Sequence, residues 1–416
     1  MGNAVLSNLG RCASASLVGV LLHSVAWCNT WIVDVNNGAG AHFTDIPPAI
    51  AAALPGDVIL VRAGNYSAFT LNSGLSVIGQ GLVRTSGNIN LSSTPGGAVT
   101  ALCEVQPSSA ANSIRVTGCA GTVLLQGLAA TVVIDASSDV RLSDCTTPPS
   151  PSIAQGLRVT NSRVQVVQSD FAGAPGNDGT NCGDGTSGGA GVQCLGPSRV
   201  HFARSTTIGG KGGDALGALC VPSAGDGGAG LSASAPFSGG QLELILTGGG
   251  VGLAQGGPGG VAPGGFNGFS GQSMFLSQNV IAWTSGMGYV PSAPLLVGGS
   301  TLIVTPTEEP TLELIGTPSP GAVVTLRLRA APGVAARLNL GATPIVQPQA
   351  NILIESLVMK QRSFDRGLVP PSGIIDTPWS FQPGAPLGKL LIFQAKVTDP
   401  ASGLTQKSNS IEAIVR

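Results

Sequence analysis

Residues 138–145, "SDVRLSDC", residues 162–169, "SRVQVVQS", and residues 198–205, "SRVHFARS", align without a gap, and residues 241–248, "QLELILTG", follow the same pattern with more drift. Apolar and polar side chains alternate in each, the signature of a strand with one buried face. Each is preceded by a shorter apolar run such as "VVID", "GLRV" or "GVQC" and a turn of Asn, Ser, Gly or Pro. Val140, Val164, Val200 and Leu242 fall 24, 36 and 42 residues apart. A constant strand portion is thus joined to a growing loop. Strands this short cannot bury a face alone, and a period in the low twenties with no intervening helix predicts stacked parallel coils, a β-solenoid. Val140, Val164, Val200 and Leu242 form one expected interior column, and Leu142, Val166, Phe202 and Leu244 the next. Alternation sends Asp139, Arg163, Arg199 and Gln241 outward, with Arg141, Gln165, His201 and Glu243 as a second outward column.

Composition bounds the rest. Only 10% of the 416 residues are charged and the net charge is -1, so the basic field that nucleic acid requires is missing. With 62 Gly and 29 Pro, long helices are disfavoured, while 43% hydrophobic residues suffice for a core. Residues 1–26 read as a secretory signal peptide: Arg11, the apolar run "CASASLVGVLL", then Ser24-Val25-Ala26 at the expected cleavage point. Trp27 before Cys28 fits a lipoprotein signal poorly. No later run reaches the length of a membrane span. The expectation is export, to the medium or the cell surface. With Cys28 set aside next to the end of the leader, six cysteines remain, all in the first domain, and allow disulfides there.

The segment "FTDIPPAIAAALPGDVILVRAGNYSAFTLNSGLSVIGQG", residues 43–81, resembles the start of right-handed parallel β-helix proteins of the pectin-lyase-like superfamily, of a secreted bacterial type. The resemblance is carried by a short apolar helix (46–54), Pro55-Gly56-Asp57, the first strand, Gly64-Asn65-Tyr66, and a second strand ending at Gly79-Gln80-Gly81. It spans about residues 31–285. It implies an all-β fold in which the helix caps the first coil, with Pro47 and Pro48 placed where a first helical turn tolerates missing amides.

Three glycine-rich excursions, residues 172–191, 209–230 and 248–268, leave the coils at equivalent points and are expected to stack as a canopy. Asp178 with Cys182 and Asp214 with Cys220 recur in the first two. Equivalent positions on adjacent coils lie about 5 Å apart, which suits a Cys182–Cys220 disulfide; separate thiols or other partners are the alternative. "GGKGGDALG", residues 209–217, matches a calcium-binding nonapeptide once, with Asp214 as the candidate ligand, but a flexible loop explains so glycine-rich a match better. No cofactor other than that calcium is suggested.

The polysaccharide-cleaving β-helix enzymes use an Arg or Lys base beside a uronate, or paired carboxylates. The signatures of polygalacturonase-like hydrolases and of pectate lyases are absent, and no nucleophile elbow surrounds a serine. One ionisable cluster remains: Asp139, Arg141, Arg163, Arg199, His201 and Glu243. It reads either as a groove for an acidic or polyhydroxylated chain, with His201 and Glu243 as acid and base, or as a solvated ion-pair ladder, and the ladder is favoured.

After a linker over residues 291–310, residues 311–416 carry short alternating strands such as "AVVTLRLRA" and "GKLLIFQAKV", which predict a small β-sandwich. The domain division expected is therefore 1–26, 27–290, 291–310 and 311–416. Taken together, the sequence predicts a secreted or surface β-helix that contacts polysaccharide or a cell-surface component without chemistry of its own. A polysaccharide lyase or glycoside hydrolase is the alternative.

Overall fold

The structure, a computed structural model, describes residues 29–148, 154–180, 183–215, 222–236, 240–247, 254–263, 265–285, 295–297, 299–305, 309–347, 354 and 356–416. The leader and both Cys182 and Cys220 lie outside these residues, as does the expected bridge between them. The described residues are nearly all β, with a single short helix. Two large parallel sheets, of 11 and 9 strands, and a third of three strands are each assembled in chain order, one strand per coil.

Apolar alternation creates these strands, and stacking buries them. Val140, Val164 and Val200 pair in sequence, as do Leu142, Val166 and Phe202, and all six lie in one continuous core. The fourth coil corrects the expected register: Val200 pairs with Leu244 and Phe202 with Leu246, two residues beyond the predicted partners. In "LELIL" either placement buries leucines, so the sequence pattern leaves this shift open. Consequently Arg199 pairs with Glu243, and His201 with Ile245. Corners between sheets are turned by single left-handed residues, among them Ala136, Asn161 and Gly196 in equivalent places. Buried serines link the coils there: the Ser162 hydroxyl accepts from the Ser137 amide, and the Ser198 hydroxyl from the Ser162 amide.

Helix Ile46–Ala52 forms with Pro at its first turn, and Asp45 accepts from the Ile46 amide as N-cap. Ile46 and Ala49 are buried in the core that the parallel sheets share. Strand Thr30–Val33 lies ahead of Val58–Tyr66 in the large sheet, so the chain begins its stacking one strand earlier than "GDVILV" suggests. At the other end Leu295–Val297 and Thr301–Thr305 extend both large sheets, so the parallel stack runs beyond residue 290 into the expected linker.

The glycine-rich excursions depart from expectation most. They are not loose loops. The amides of Gly173, Gly176 and Gly179 donate to the carbonyls of Ile208, Lys211 and Asp214, and those of Gly209, Gly212 and Ala215 to Gln255, Pro258 and Val261. The returning arms repeat this: Gly185, Gly188 and Gly191 donate to Ser223, Asp226 and Ala229, and Ala224, Gly227 and Gly230 to Phe266, Phe269 and Gln272. A period of three with bonds only to neighbours is the polyproline II pattern. A second set of bonds joins outgoing to returning arms, including Gly210 to Gly189, Gly228 to Gly210 and Gly257 to Gly228. Six extended arms therefore form a two-layered bundle with parallel neighbours within a layer and antiparallel layers.

Glycine is demanded by close approach. A Cβ on Gly210 would lie 1.8 Å from the Ala174 carbonyl oxygen, and one on Gly228 1.9 Å from that of Gly189. Every third residue instead points out and is free to carry a side chain.

Residues 311–416 form two larger antiparallel sheets, of three and four strands, which share one core with Leu326, Leu338, Phe393 and Ile411, and a two-stranded antiparallel pair, Pro344–Gln347 with Ser356–Val358. That core also takes in Val167 and Ala203 from the parallel stack, so the second module is docked on the first.

Two substitutions separate tight packing from a loose canopy. Gly228→Ala should cost about 1–3 kcal/mol through overpacking and open the arms to thermolysin, whereas outward Ser187→Ala should stay within about 0.5 kcal/mol. Equal stability and protease resistance of the two variants, read by urea unfolding and limited digestion, would contradict the bundle.

Candidate functional site

The ionisable cluster forms on the outer face of the larger parallel sheet, as alternation requires, but Asp139, Arg141, Gln165 and His201 are buried there while Arg163, Arg199 and Glu243 stay part-exposed. The second module covers the buried part. Arg141 is only 2% exposed. Its Nε and Nη2 donate to Asp139, whose Oδ2 lies 2.9 Å from Nη2, and its Nη1 donates to Glu412 at 2.8 Å and to the Leu357 carbonyl at 3.0 Å. Nη2 also donates to the Ile345 carbonyl at 3.1 Å. Burial acts to lower the Arg141 pKa, but Asp139 and Glu412 outweigh it and hold the guanidinium charged. Beside it Gln165 exchanges hydrogen bonds with Ser410 through backbone and hydroxyl. Arg141 and Gln165 are thus interface residues, and the groove expected along this column is filled by the chain itself.

His201 completes the correction. It is buried, its Nε2 lies 2.9 Å from the Thr247 hydroxyl, and burial, with a smaller effect of Arg199, pushes its pKa down to about 3. It is neutral at ordinary pH. Glu243 stands one ladder position from the expected place and forms an ion pair with Arg199. His201 and Glu243 therefore do not form the acid and base pair that the unshifted register suggested. The space between the modules, lined by Asp139, Arg163, Arg199, His201, Ile354 and Leu357 among others, has a volume of about 30 Å³, which admits a water rather than a sugar ring.

The described cysteines are core pieces. Cys103, Cys119, Cys145 and Cys194 are buried free thiols, so no disulfide forms among the described cysteines. Burial drives the Cys103, Cys145 and Cys194 pKa values up to about 12. Cys119 and Cys145 occupy the heads of the serine ladders, their amides donating to Ser137 and Ser169.

Asp214, the candidate calcium ligand, is committed within the bundle. Its Oδ1 accepts from the Val261 amide and its Oδ2 from Lys211, each at 2.8 Å, and these bonds hold its pKa below the usual carboxylate range. Asp178 accepts from the Asp214 amide, Asp184 from Ser223 and Asp226 from Phe269 in the same manner. These aspartates clamp each arm to the next. No group of three or more His, Cys, Asp or Glu side chains suited to a metal occurs among the described residues.

What the bundle leaves outward is a regular display. One face carries Pro175, Ile208, Lys211, Pro258 and Val261. The other carries Ser187, Ser223, Asp226, Phe266 and Phe269, the phenylalanines 69% and 80% exposed. Sequence reasoning missed this face, although the spacing of Phe266 and Phe269 by three was a usable sign.

No protein-family profile and no curated protein matches the chain. Among solved structures, a DUF3823 family protein from Bacteroides ovatus is similar over 31% of this chain at 15% identity with a TM-score of 0.20, and this chain spans 64% of its length. No helix among the described residues is long and apolar enough to cross a membrane.

Two measurements test the buried cluster. Arg141→Ala strands Asp139 and Glu412 and should cost about 3–5 kcal/mol in urea unfolding; a loss below about 1 kcal/mol would return the cluster to solvent. Because the folded His201 pKa lies below its unfolded value, the stability it contributes is full above about pH 6.5 and lost as pH falls towards 3. His201→Gln should therefore flatten part of the fall in stability over that window, and an unchanged profile would contradict the burial.

Proposed function

We propose that this chain is a secreted or surface-displayed protein without catalytic activity, which uses the outward faces of its polyglycine bundle to contact an extended polysaccharide or a neighbouring cell-surface component. In this reading the stacked sheets are a right-handed parallel β-helix of the pectin-lyase-like kind, capped by helix Ile46–Ala52, and the two antiparallel sheets are a β-sandwich that closes one face.

The observation that carries the proposal is the exposed pair Phe266 and Phe269 on a backbone lattice with no freedom to collapse around them. Large exposed apolar side chains on an otherwise polar surface mark contact sites. Successive outward residues on one arm are about 9 Å apart, three residues at the polyproline II rise, and adjacent arms lie about 5 Å apart. Such a lattice meets an extended partner without ordering cost. Bulky aromatics at the tips of unstructured loops would not have that advantage. A lyase or hydrolase gains no support from His201, which is neutral and enclosed, or from Glu243, which is paired with Arg199.

The test is a glycan and cell-surface binding screen of the protein lacking residues 1–26, with product analysis for unsaturated or newly reducing sugars. The expected result is binding that Phe266→Ser with Phe269→Ser weakens at least tenfold at unchanged melting temperature, and no product. Product formation, or binding indifferent to both phenylalanines, would overturn the proposal.

A further inference from the structure

The second module holds a cleft that the solenoid has no part in lining. It opens where Trp379 and Ser380, at the end of strand Ile374–Ser380, face Leu340, Arg362 and Leu391 of the other sheet, and it has a volume of about 450 Å³, within the size range of small-ligand sites. The segment Phe381 to Lys389, which crosses between the sheets, forms its rim with Gln382, Ala385, Pro386 and Lys389.

Its charge is one-sided. Arg362 and Lys389 line the cleft, and no carboxylate does so. Neither cation has an ion-pair partner among the described residues, whereas three other arginines of this module are paired, Arg327 with Asp376, Arg329 with Glu313 and Arg337 with Asp365, and Arg366 lies over the Phe364 ring. In a chain with so few charges, two unpartnered cations converging on one cleft favour an anion there.

Its aromatic wall is fixed. Trp379 packs edge-on against Phe364 and Phe393, with ring centroids 5.8 Å and 5.1 Å apart. The rim is fixed as well. Gly388 sits against Val58 of the parallel sheet with a φ of 77°, its amide donates to the Val415 carbonyl, and the Ala385 amide donates to Gln382 at 2.9 Å. Leu387 and Leu390 pack on the same outer face of that sheet as Val58. One side of the rim is thus anchored to the solenoid while the other presents Lys389 to the cleft.

We propose that this cleft binds an acidic saccharide, a sugar ring whose carboxylate or sulfate meets Arg362 and Lys389 while its apolar face lies against Trp379. Gln361, Gln382 and Ser380 supply amide and hydroxyl groups for the remaining ring hydroxyls. The site stands on the second module alone, so it binds whether or not the bundle contacts a polymer.

The experiment is isothermal titration of the whole chain at low salt with cellobiouronic acid, cellobiose 6-sulfate, cellobiose and sodium sulfate. At least one of the two acidic disaccharides should bind tenfold or more tightly than cellobiose and than sulfate alone, and the tighter one identifies the substituent. Arg362→Gln with Lys389→Gln, both on exposed residues, should bring it to parity with cellobiose without changing the melting temperature. Trp379→Leu should weaken both sugars several-fold, with its unfolding measured alongside because the ring also packs the core. Cellobiose or bare sulfate binding as well as the acidic sugars, or acidic binding that survives the loss of both cations, would overturn the site.

Discussion

Hydrogen bonding along a single direction, from each coil to the next, is the constraint on which the rest of this molecule depends. In the sheets it sets the register that puts Val140, Val164, Val200 and Leu244 in one row. In the glycine-rich arms the same coil-to-coil bonding continues after side chains have been dispensed with, at a period of three instead of two. Burial of the interior Val, Leu and Ile side chains supplies the driving force, at about 1.5–3 kcal/mol for each. The described arms bury only a small cluster of Ala215, Ala224 and Ala262, and their cohesion comes mainly from dense backbone bonding between closely approaching glycines. The bundle is therefore a dependent structure, held in place by the stack from which it springs.

A second consequence concerns where charge ends up. Alternation put Arg141, Gln165 and His201 on the outer face of the sheet, where an uncovered face would meet water. The second module removes that water, and each polar group there needs a partner, from across the interface or from the sheet itself. Arg141 finds Glu412 and two carbonyls, Gln165 finds Ser410, and His201 stays neutral against Thr247. A buried charge so fully bonded contributes little net attraction compared with an apolar contact, but it penalises any other docking pose severely. It therefore acts as a register pin between the modules.

Legibility from sequence follows the same physics. The stacking of coils was readable because alternation repeats in "SRVQVVQS" and "SRVHFARS", and faces were readable because a two-residue slip preserves them. Partners were not, since "LELIL" buries leucines in either placement, and Glu243 was assigned to His201 instead of Arg199 for that reason. The covering of Arg141 was invisible because Ser410 and Glu412 lie far along the chain with no local signal. The bundle was hidden differently. Glycine runs look like flexibility, as their meaning lies in the absence of side chains, and only the outward residues at every third place, such as Phe266 and Phe269, betray the period. The neutral His201 was equally beyond reach, because burial by a distant module sets its pKa.

The central claim is that glycine-rich arms in this chain are a hydrogen-bonded lattice. Residue-resolved amide hydrogen exchange tests it most directly. The account predicts slow exchange at Gly176, Gly188, Gly210, Gly213, Gly225, Gly228 and Gly257, whose amides donate to neighbouring arms, and fast exchange at Lys211, an outward position with no such bond. Uniformly fast exchange across these residues, at the rate of an unstructured chain, would contradict it.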